Sequence, residues 1–126
     1  MPETPTLSRF IPVLRMFDVA KAREFYLDWL GFELRFEHRF EPDLPLYMGL
    51  VRGPLELHLS EHHGDGSPGA NLRIETTGIE ALHAELSAKR YGYGRPGIET
   101  VPWGFRELSV HDPFGNRITF AERSDS

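Results

Sequence analysis

The chain has 126 residues, 40% of them hydrophobic, which is enough for one globular domain with its own core and too few for two ordinary domains. The formal net charge of −5 argues against a nucleic-acid partner and slightly favours a cationic one, or simply keeps a small protein in solution. Cysteine is absent, which excludes disulfides and thiolate metal sites. No signal peptide or membrane-length apolar stretch is visible, so we expect a cytoplasmic protein without a membrane partner.

The first half of the chain begins with a strand and a helix. Phe10–Met16 is short and apolar, and we expect a strand there. Asp18 is placed to cap a following helix with its carboxylate, and Gly31 is placed to end it. The apolar residues between them recur at helical spacing and predict one buried face: Val19, Ala22, Phe25, Tyr26, Trp29 and Leu30.

Three strands are predicted to follow the helix. They cover residues 33–40, 46–52 and 55–60, separated by proline and glycine turns. Alternation in the first of them places four side chains on one face: Leu34, Phe36, His38 and Phe40. In the third strand, alternation separates Leu55, Leu57 and Leu59 on one face from Glu56, His58 and Ser60 on the other.

The loop Glu61–Gly69, which contains three glycines and no apolar residue, separates the chain into two similar halves. Thr77 with Glu80 fits a capping box and predicts the start of the second helix. The elements of the second half repeat the order of the first, with strands at 71–75, 98–102, 105–111 and 117–122. We therefore expect a single domain over 1–126 with modules at about 10–61 and 70–122. One helix cannot cover both faces of a sheet, so a second half or a second subunit must cover the other face.

Two stretches of the sequence contain family-specific patterns. The first, 11–33 (IPVLRMFDVAKAREFYLDWLGFE), is a strand, an Asp-Val pair and a helix ending in Leu-Gly-Phe. The second, 102–122 (PWGFRELSVHDPFGNRITFAE), places Pro-Trp-Gly before a strand and the turn Asp-Pro-Phe-Gly-Asn after it. The first stretch resembles the opening module of the glyoxalase/bleomycin-resistance/extradiol-dioxygenase superfamily, which has the vicinal oxygen chelate fold. The second resembles the closing module of the bleomycin-binding resistance proteins in that superfamily.

This resemblance implies an α+β fold in which two paired βαβββ modules form curved mixed sheets around a cavity, usually in a homodimer. It also implies one of two functions. A member of this superfamily is either a metal-dependent lyase, isomerase or dioxygenase, or a metal-free protein whose cavity binds a drug.

The residues at the superfamily's metal positions favour the metal-free function. By the resemblance, the ligands come from the first and last strand of each module, here Ile11, Leu72, Thr119 and either Glu56 or His58. Apolar side chains cannot coordinate a divalent ion, and only the last of these positions offers a good ligand. We therefore expect no metal, no cofactor and no catalytic residue.

A drug-binding cavity needs flat aromatic surfaces and a few polar groups. The resemblance implies that Trp103 stacks on the planar bithiazole group of a bleomycin-type glycopeptide, which would be sequestered unaltered and so confer antibiotic resistance. Arg35 and Arg39 lie in the second strand, where such a binder is expected to be acidic, so another planar or anionic ligand stays open. The complete set of predicted ligand-binding residues is Trp103, Phe36, Phe40, His38, Tyr47, Glu56, His58 and Ser60.

Overall fold

The computed structural model describes residues 4–92 and 94–124, and these residues form two four-stranded sheets and two helical segments. The first module contains β1 (Val13–Arg15), α1 (Val19–Ala22) continuing as a π-helix (Arg23–Trp29), β2 (Glu33–His38), β3 (Tyr47–Arg52) and β4 (Leu55–Ser60). The second contains β5 (Asn71–Glu75), α2 (Ile79–Ala88), β6 (Ile98–Val101), β7 (Phe105–His111) and β8 (Arg117–Arg123). Within the described ranges, neither helical segment is long and apolar enough to cross a membrane.

The two sheets have the same topology, with strand orders β1-β4-β3-β2 and β5-β8-β7-β6. The pairs β1–β4 and β5–β8 are parallel, and the other neighbours are antiparallel. Each parallel pair is closed by a long connection that includes the helix, as such a pair requires. The predicted α+β architecture of two mixed sheets is confirmed.

The first helix lies where the sequence predicts it, but most of it is not α-helical. Asp18 caps it, because its Oδ1 accepts a hydrogen bond from the Lys21 N–H at 3.0 Å. From Arg23 the chain follows a π-helix, in which the Leu30 N–H reaches the Phe25 carbonyl at 2.9 Å. The wider turn still keeps one face apolar and buried, comprising Ala22, Phe25, Tyr26, Trp29 and Leu30.

The second helix starts without the predicted threonine cap. Gly78, with a positive φ of 84°, occupies the N-cap position and has no side chain to cap with. The acceptor comes instead from the end of the chain, because Glu122 Oε2 accepts hydrogen bonds from the N–H groups of Gly78 and Ile79. The prediction of Thr77 as N-cap is wrong because a carboxylate from β8 provides a stronger, charge-assisted acceptor.

The first two strands also differ from the alternation in the sequence. β1 is limited to Val13–Arg15, three residues of the seven predicted. In β2 the register shifts between Leu34 and Phe36, so that Leu34 lies opposite Leu50 while Phe36 lies opposite Gly49. This β-bulge separates Leu34 from the face that carries Phe36, which corrects the prediction that they share one face.

The two modules pack through their helices and through the turn after β7. Tyr26 donates a hydrogen bond to Asp112 Oδ2 at 2.6 Å, and Trp29 Nε1 donates to the Leu86 carbonyl at 3.1 Å. Buried side chains from both modules form one hydrophobic core on this side of the sheets. Among residues 4–92 and 94–124, neither helical segment covers the opposite face of a sheet.

Replacing Glu85 with glutamine should lower the free energy of unfolding by about 0.5–1 kcal/mol at neutral pH. Glu85 accepts two hydrogen bonds from Arg52, at 2.8 and 2.9 Å, and so joins the two modules. The Arg52 hydrogen bond, followed by the charges of Arg52 and Lys89, lowers the pKa of Glu85 from its ordinary value of 4.5 despite partial burial.

A lowered folded-state pKa means that this contribution is fully present above pH 4.5 and is lost as the pH falls through the folded value. Urea unfolding of wild type and Glu85→Gln at several pH values between about 7 and about 3 should show two curves that converge on acidification. Glu80→Gln is the matched control, because Glu80 lies on the same helix in an exposed pair with Arg106. A constant difference across the pH range would contradict the assignment.

Candidate functional site

The uncovered face of the first sheet carries a connected group of aromatic and charged side chains, which we call the first wall. Its members are Phe36, Tyr47, Glu56 and His58 from the strands, with Arg35 at the bulge of β2 and Arg9 from the segment before β1. Alternation along β4 produces this arrangement, since Leu57 and Leu59 are buried in the core and the residues between them point the other way.

A chain of hydrogen bonds runs through the first wall. The Tyr47 hydroxyl lies 2.6 Å from His58 Nδ1, and His58 Nε2 lies 2.7 Å from Glu56 Oε2. An ionised carboxylate can only accept, so the imidazole donates through Nε2 and, when neutral, accepts at Nδ1. When His58 is neutral, Tyr47 therefore donates to it, and the Tyr47 oxygen keeps a lone pair that can accept a hydrogen bond on the open face.

The protonation states of the first wall follow from these contacts. The hydrogen bond from His58 lowers the pKa of Glu56, and the charges of Arg35 and Arg9 add to that effect, so the carboxylate is ionised at neutral pH. Partial burial, followed by the negative charges of Asp65 and Glu56, raises the pKa of the Tyr47 hydroxyl, so it keeps its proton. The wall thus combines an ionised carboxylate with a neutral phenol.

The aromatic ring of Phe36 lies at the edge of this polar group. Phe36 stacks on Tyr47 at 6.1 Å between ring centroids and meets His58 edge-on at 5.2 Å. Gly49 makes room for it, because a Cβ built at Gly49 would fall 2.2 Å from the Phe36 ring. Phe36 remains 39% exposed, so part of its ring surface is free to stack on a flat ligand.

The other first-module residues that were predicted to bind ligand lie at the edge of the first wall or beneath it. His38 ends β2, and the Phe40 ring contacts it at 4.8 Å but lies beyond the strand and is largely exposed. Ser60 is completely buried, and its hydroxyl donates to Asp65 and accepts from the His62 N–H. The structure brings Phe36, Tyr47, Glu56 and His58 together, whereas Ser60 contributes to the loop that covers β1.

The uncovered face of the second sheet forms a separate group, which we call the second wall. Trp103 is 64% exposed, and its Nε1 lies 3.3 Å from Glu107 Oε2. The same carboxylate oxygen forms a 2.7 Å ion pair with Arg73, whose guanidinium lies over the Phe105 ring at 5.0 Å. The Arg123 guanidinium also lies over this ring, at 5.4 Å.

The two walls do not meet within one chain. Among residues 4–92 and 94–124, no hydrogen bond, ion pair or ring contact joins a side chain of the first wall to one of the second. Trp103 is therefore not part of the group formed by Phe36, Tyr47, Glu56 and His58 in a single chain. Each wall is therefore a separate surface within the described part of the chain.

The superfamily's metal positions can now be read from the strand register. Arg73 lies opposite Thr119 on the open face, while Leu72 lies opposite Ile118 and packs against the core. Leu72, which the resemblance placed at the second-module position, therefore faces the core and not the open face. A guanidinium does not coordinate a cation, and Thr119 shares a 2.9 Å hydrogen bond with Ser109. In the described part of the chain, no three His, Asp or Glu side chains converge as a metal site would need.

Several wall residues had no clear signal in the sequence. Arg9 is separated from its partner Glu56 by 47 positions, and Arg73 lies in a strand too short to show its pattern. The alternation of Phe105, Glu107 and Ser109 along β7 was a usable signal, because these residues share the face that Trp103 adjoins.

Known proteins share both this sequence pattern and this fold. The sequence model of the family described as "Glyoxalase superfamily protein" matches residues 4–126. A bleomycin resistance protein from Geobacillus stearothermophilus is 28% identical over 134 aligned positions, which cover 92% of this chain and 97% of that protein. A bleomycin-binding protein from bleomycin-producing Streptomyces verticillus, solved with copper(II)-bleomycin, is 30% identical with a TM-score of 0.69, covering 98% of this chain and 100% of that one.

A bleomycin resistance determinant encoded on the transposon Tn5 shows the same fold with a TM-score of 0.72 at 21% identity, covering 93% of this chain and 98% of that one. The fold, the family match and the full-length coverage agree with one another. The chain belongs to the glyoxalase/bleomycin-resistance superfamily.

Proposed function

We propose that this protein binds a planar small molecule between the first wall of one subunit and the second wall of another, and holds it chemically unaltered. Bleomycin-type glycopeptide antibiotics are the class that its relatives indicate, since similar proteins are bleomycin resistance and bleomycin-binding proteins. Sequestration in the cytoplasm would then protect the cell from the drug.

The single observation that most supports this proposal is the exposure of Trp103. A tryptophan with 64% of its surface exposed, beside a charged Glu107, offers a flat ring face to a ligand. Trp29, by contrast, is 3% exposed and belongs to the core. Exposed aromatic residues of this kind are characteristic of binding surfaces, and stacking on them adds to the effect of area burial.

Side-chain exposure also supports a homodimer. Every residue of β2 from Glu33 to His38 is exposed, and no helix covers either wall among the residues that the structure describes. The large apolar side chains of Leu34, Phe36 and Trp103 are among those exposed, and such residues favour an interaction surface. A two-fold axis that places the first wall of each subunit against the second wall of its partner would create two equivalent binding grooves.

Bleomycin should bind saturably in calorimetry and quench the fluorescence of Trp103. Trp103→Ala should weaken binding by about 30-fold or more, because removal of a central aromatic contact typically costs 2 kcal/mol or more. Trp29 gives an internal signal of folding in that variant, since it stays in the core. Phe17→Ala is the matched control, an exposed aromatic residue outside both walls that should leave affinity unchanged.

The proposal of bleomycin binding would be abandoned if calorimetry showed no saturable heat. If bleomycin bound Trp103→Ala with unchanged affinity, the second wall would not be part of its binding site.

A further inference from the structure

Two arginines of the first wall converge on one carboxylate, although the protein as a whole is acidic. The chain carries a formal net charge of −5. On the first wall, however, the guanidinium groups of Arg9 and Arg35 both approach Glu56 Oε1, at 2.9 and 2.5 Å. Two guanidinium groups therefore share one carboxylate oxygen at this end of the wall.

Glu56 has little capacity left for a ligand. Its Oε1 is occupied by the two arginines and its Oε2 by His58 at 2.7 Å, and its side chain is only 5% exposed. A guanidinium carries five N–H donors, and within the described residues each arginine uses one nitrogen, on Glu56. The side chains of Arg9 and Arg35 are 50% and 56% exposed, so their remaining donors face the open side of the wall.

The aromatic surface lies next to these donors. Phe36 contacts His58 edge-on at 5.2 Å, and His58 in turn contacts the carboxylate that holds both arginines. A flat molecule stacked on the exposed part of Phe36 would therefore bring its edge towards the guanidinium groups. Planar guanidinium donors match the two oxygens of a carboxylate better than any other side chain does.

We propose that the first wall selects an aromatic carboxylate, with the carboxylate bound by Arg35 and Arg9 and the ring packed on Phe36. This inference rests on the proposed function of small-molecule binding at the walls and specifies the ligand's charge. Glu56 acts as a positioning residue, because it orients both arginines without needing to touch the ligand. The Tyr47 oxygen can also accept a hydrogen bond, which favours a ligand that has an N–H or O–H group close to it.

Three probes with the same ring separate charge from shape: 2-naphthoate, 2-naphthamide and 2-naphthylmethylammonium. Calorimetry at low salt should show 2-naphthoate binding about tenfold or more tighter than the ammonium probe, with the neutral amide between them. Added sodium chloride should reduce the difference in affinity between 2-naphthoate and the ammonium probe, and it should leave the affinity for the neutral amide unchanged. Arg35→Gln should reduce the affinity for naphthoate about tenfold while leaving the affinity for naphthamide unchanged.

Arg9→Gln provides a second variant in an exposed segment outside the sheets, so its folding is not at risk. Arg106→Gln is the control, an arginine paired with Glu80 outside both walls, and it should change none of the affinities. Equal affinities for the three probes, a preference for the ammonium probe, or naphthoate binding that survives both wall variants would each overturn the inference. Bleomycin binding with Trp103 quenching would then still support the proposed function, whereas failure of every probe and of bleomycin would overturn both.

Discussion

Replacing Asp112 with alanine should lower the free energy of unfolding by about 3–4 kcal/mol and the melting temperature by roughly 10–15 °C. The side chain is buried in the turn after β7 and accepts four hydrogen bonds. Oδ1 accepts from the backbone N–H groups of Phe114 and Asn116, at 2.9 and 2.8 Å. Oδ2 accepts from the Asn116 side chain at 2.7 Å and from the Tyr26 hydroxyl at 2.6 Å.

These hydrogen bonds connect the two modules as well as shaping the turn. Tyr26 lies on the first helix, and Asn116 Nδ2 also donates to the Arg15 carbonyl at the end of β1. Burial, followed by the charge of Asp112, raises the pKa of Tyr26 well above its ordinary range, so the phenol keeps its proton and remains a donor. Alanine at position 112 would leave this buried hydroxyl without an acceptor, which costs more than the loss of an average hydrogen bond.

A double-mutant cycle tests whether the unpaired Tyr26 hydroxyl contributes to the loss of stability in Asp112→Ala. Tyr26→Phe alone should destabilise the protein by about 1 kcal/mol, but in the Asp112→Ala background it should be neutral or stabilising. Asp28→Ala is the control, an exposed aspartate on the same helical segment as Tyr26, and should change stability by less than about 0.5 kcal/mol. Urea unfolding at one fixed protein concentration measures the four proteins of the cycle and the control, and additive effects of the two substitutions would contradict the coupling.

The same turn shows how far the sequence could be read. Its residue types identified a tight turn, and Gly115 does adopt a positive φ of 88° there. Its partners could not be read, because Tyr26 is 86 positions away in the chain and helical periodicity alone marks it only as buried. A local pattern predicts a local conformation, whereas the choice of partner depends on how the two modules pack.

Regular alternation predicted faces correctly only where no bulge intervenes. In β4 the alternation of leucines with Glu56 and His58 matches the structure, because β4 pairs in register along its whole length. In β2 the bulge at Arg35 places Arg35 and Phe36 on the same face, and nothing in the local sequence marks that extra residue. This bulge also places Arg35 where it reaches Glu56, so the feature that alternation misses is the one that brings this guanidinium to the first wall.

Mixing two variants that bind the ligand weakly should restore tight binding in part, if each groove combines the first wall of one subunit with the second wall of its partner. Phe36→Ala damages the first wall and Trp103→Ala damages the second, and both residues are exposed enough that the fold should tolerate their loss. Each variant alone damages both grooves of its homodimer. In a mixed dimer, one groove carries both substitutions and the other carries neither.

Co-refolding an equal mixture of the two variants should yield mixed dimers as about half of all dimers, so about a quarter of all grooves regain full affinity. Calorimetric titration with bleomycin should then show a tight phase with that stoichiometry, absent from either variant alone. The control mixes each variant with the Phe36→Ala/Trp103→Ala double variant, which can form no intact groove. If the mixture of single variants behaved like this control, the two walls would not meet across a subunit boundary. Because the two walls share no contact within one chain, recovery of tight binding would identify the partner subunit as the missing surface of the site.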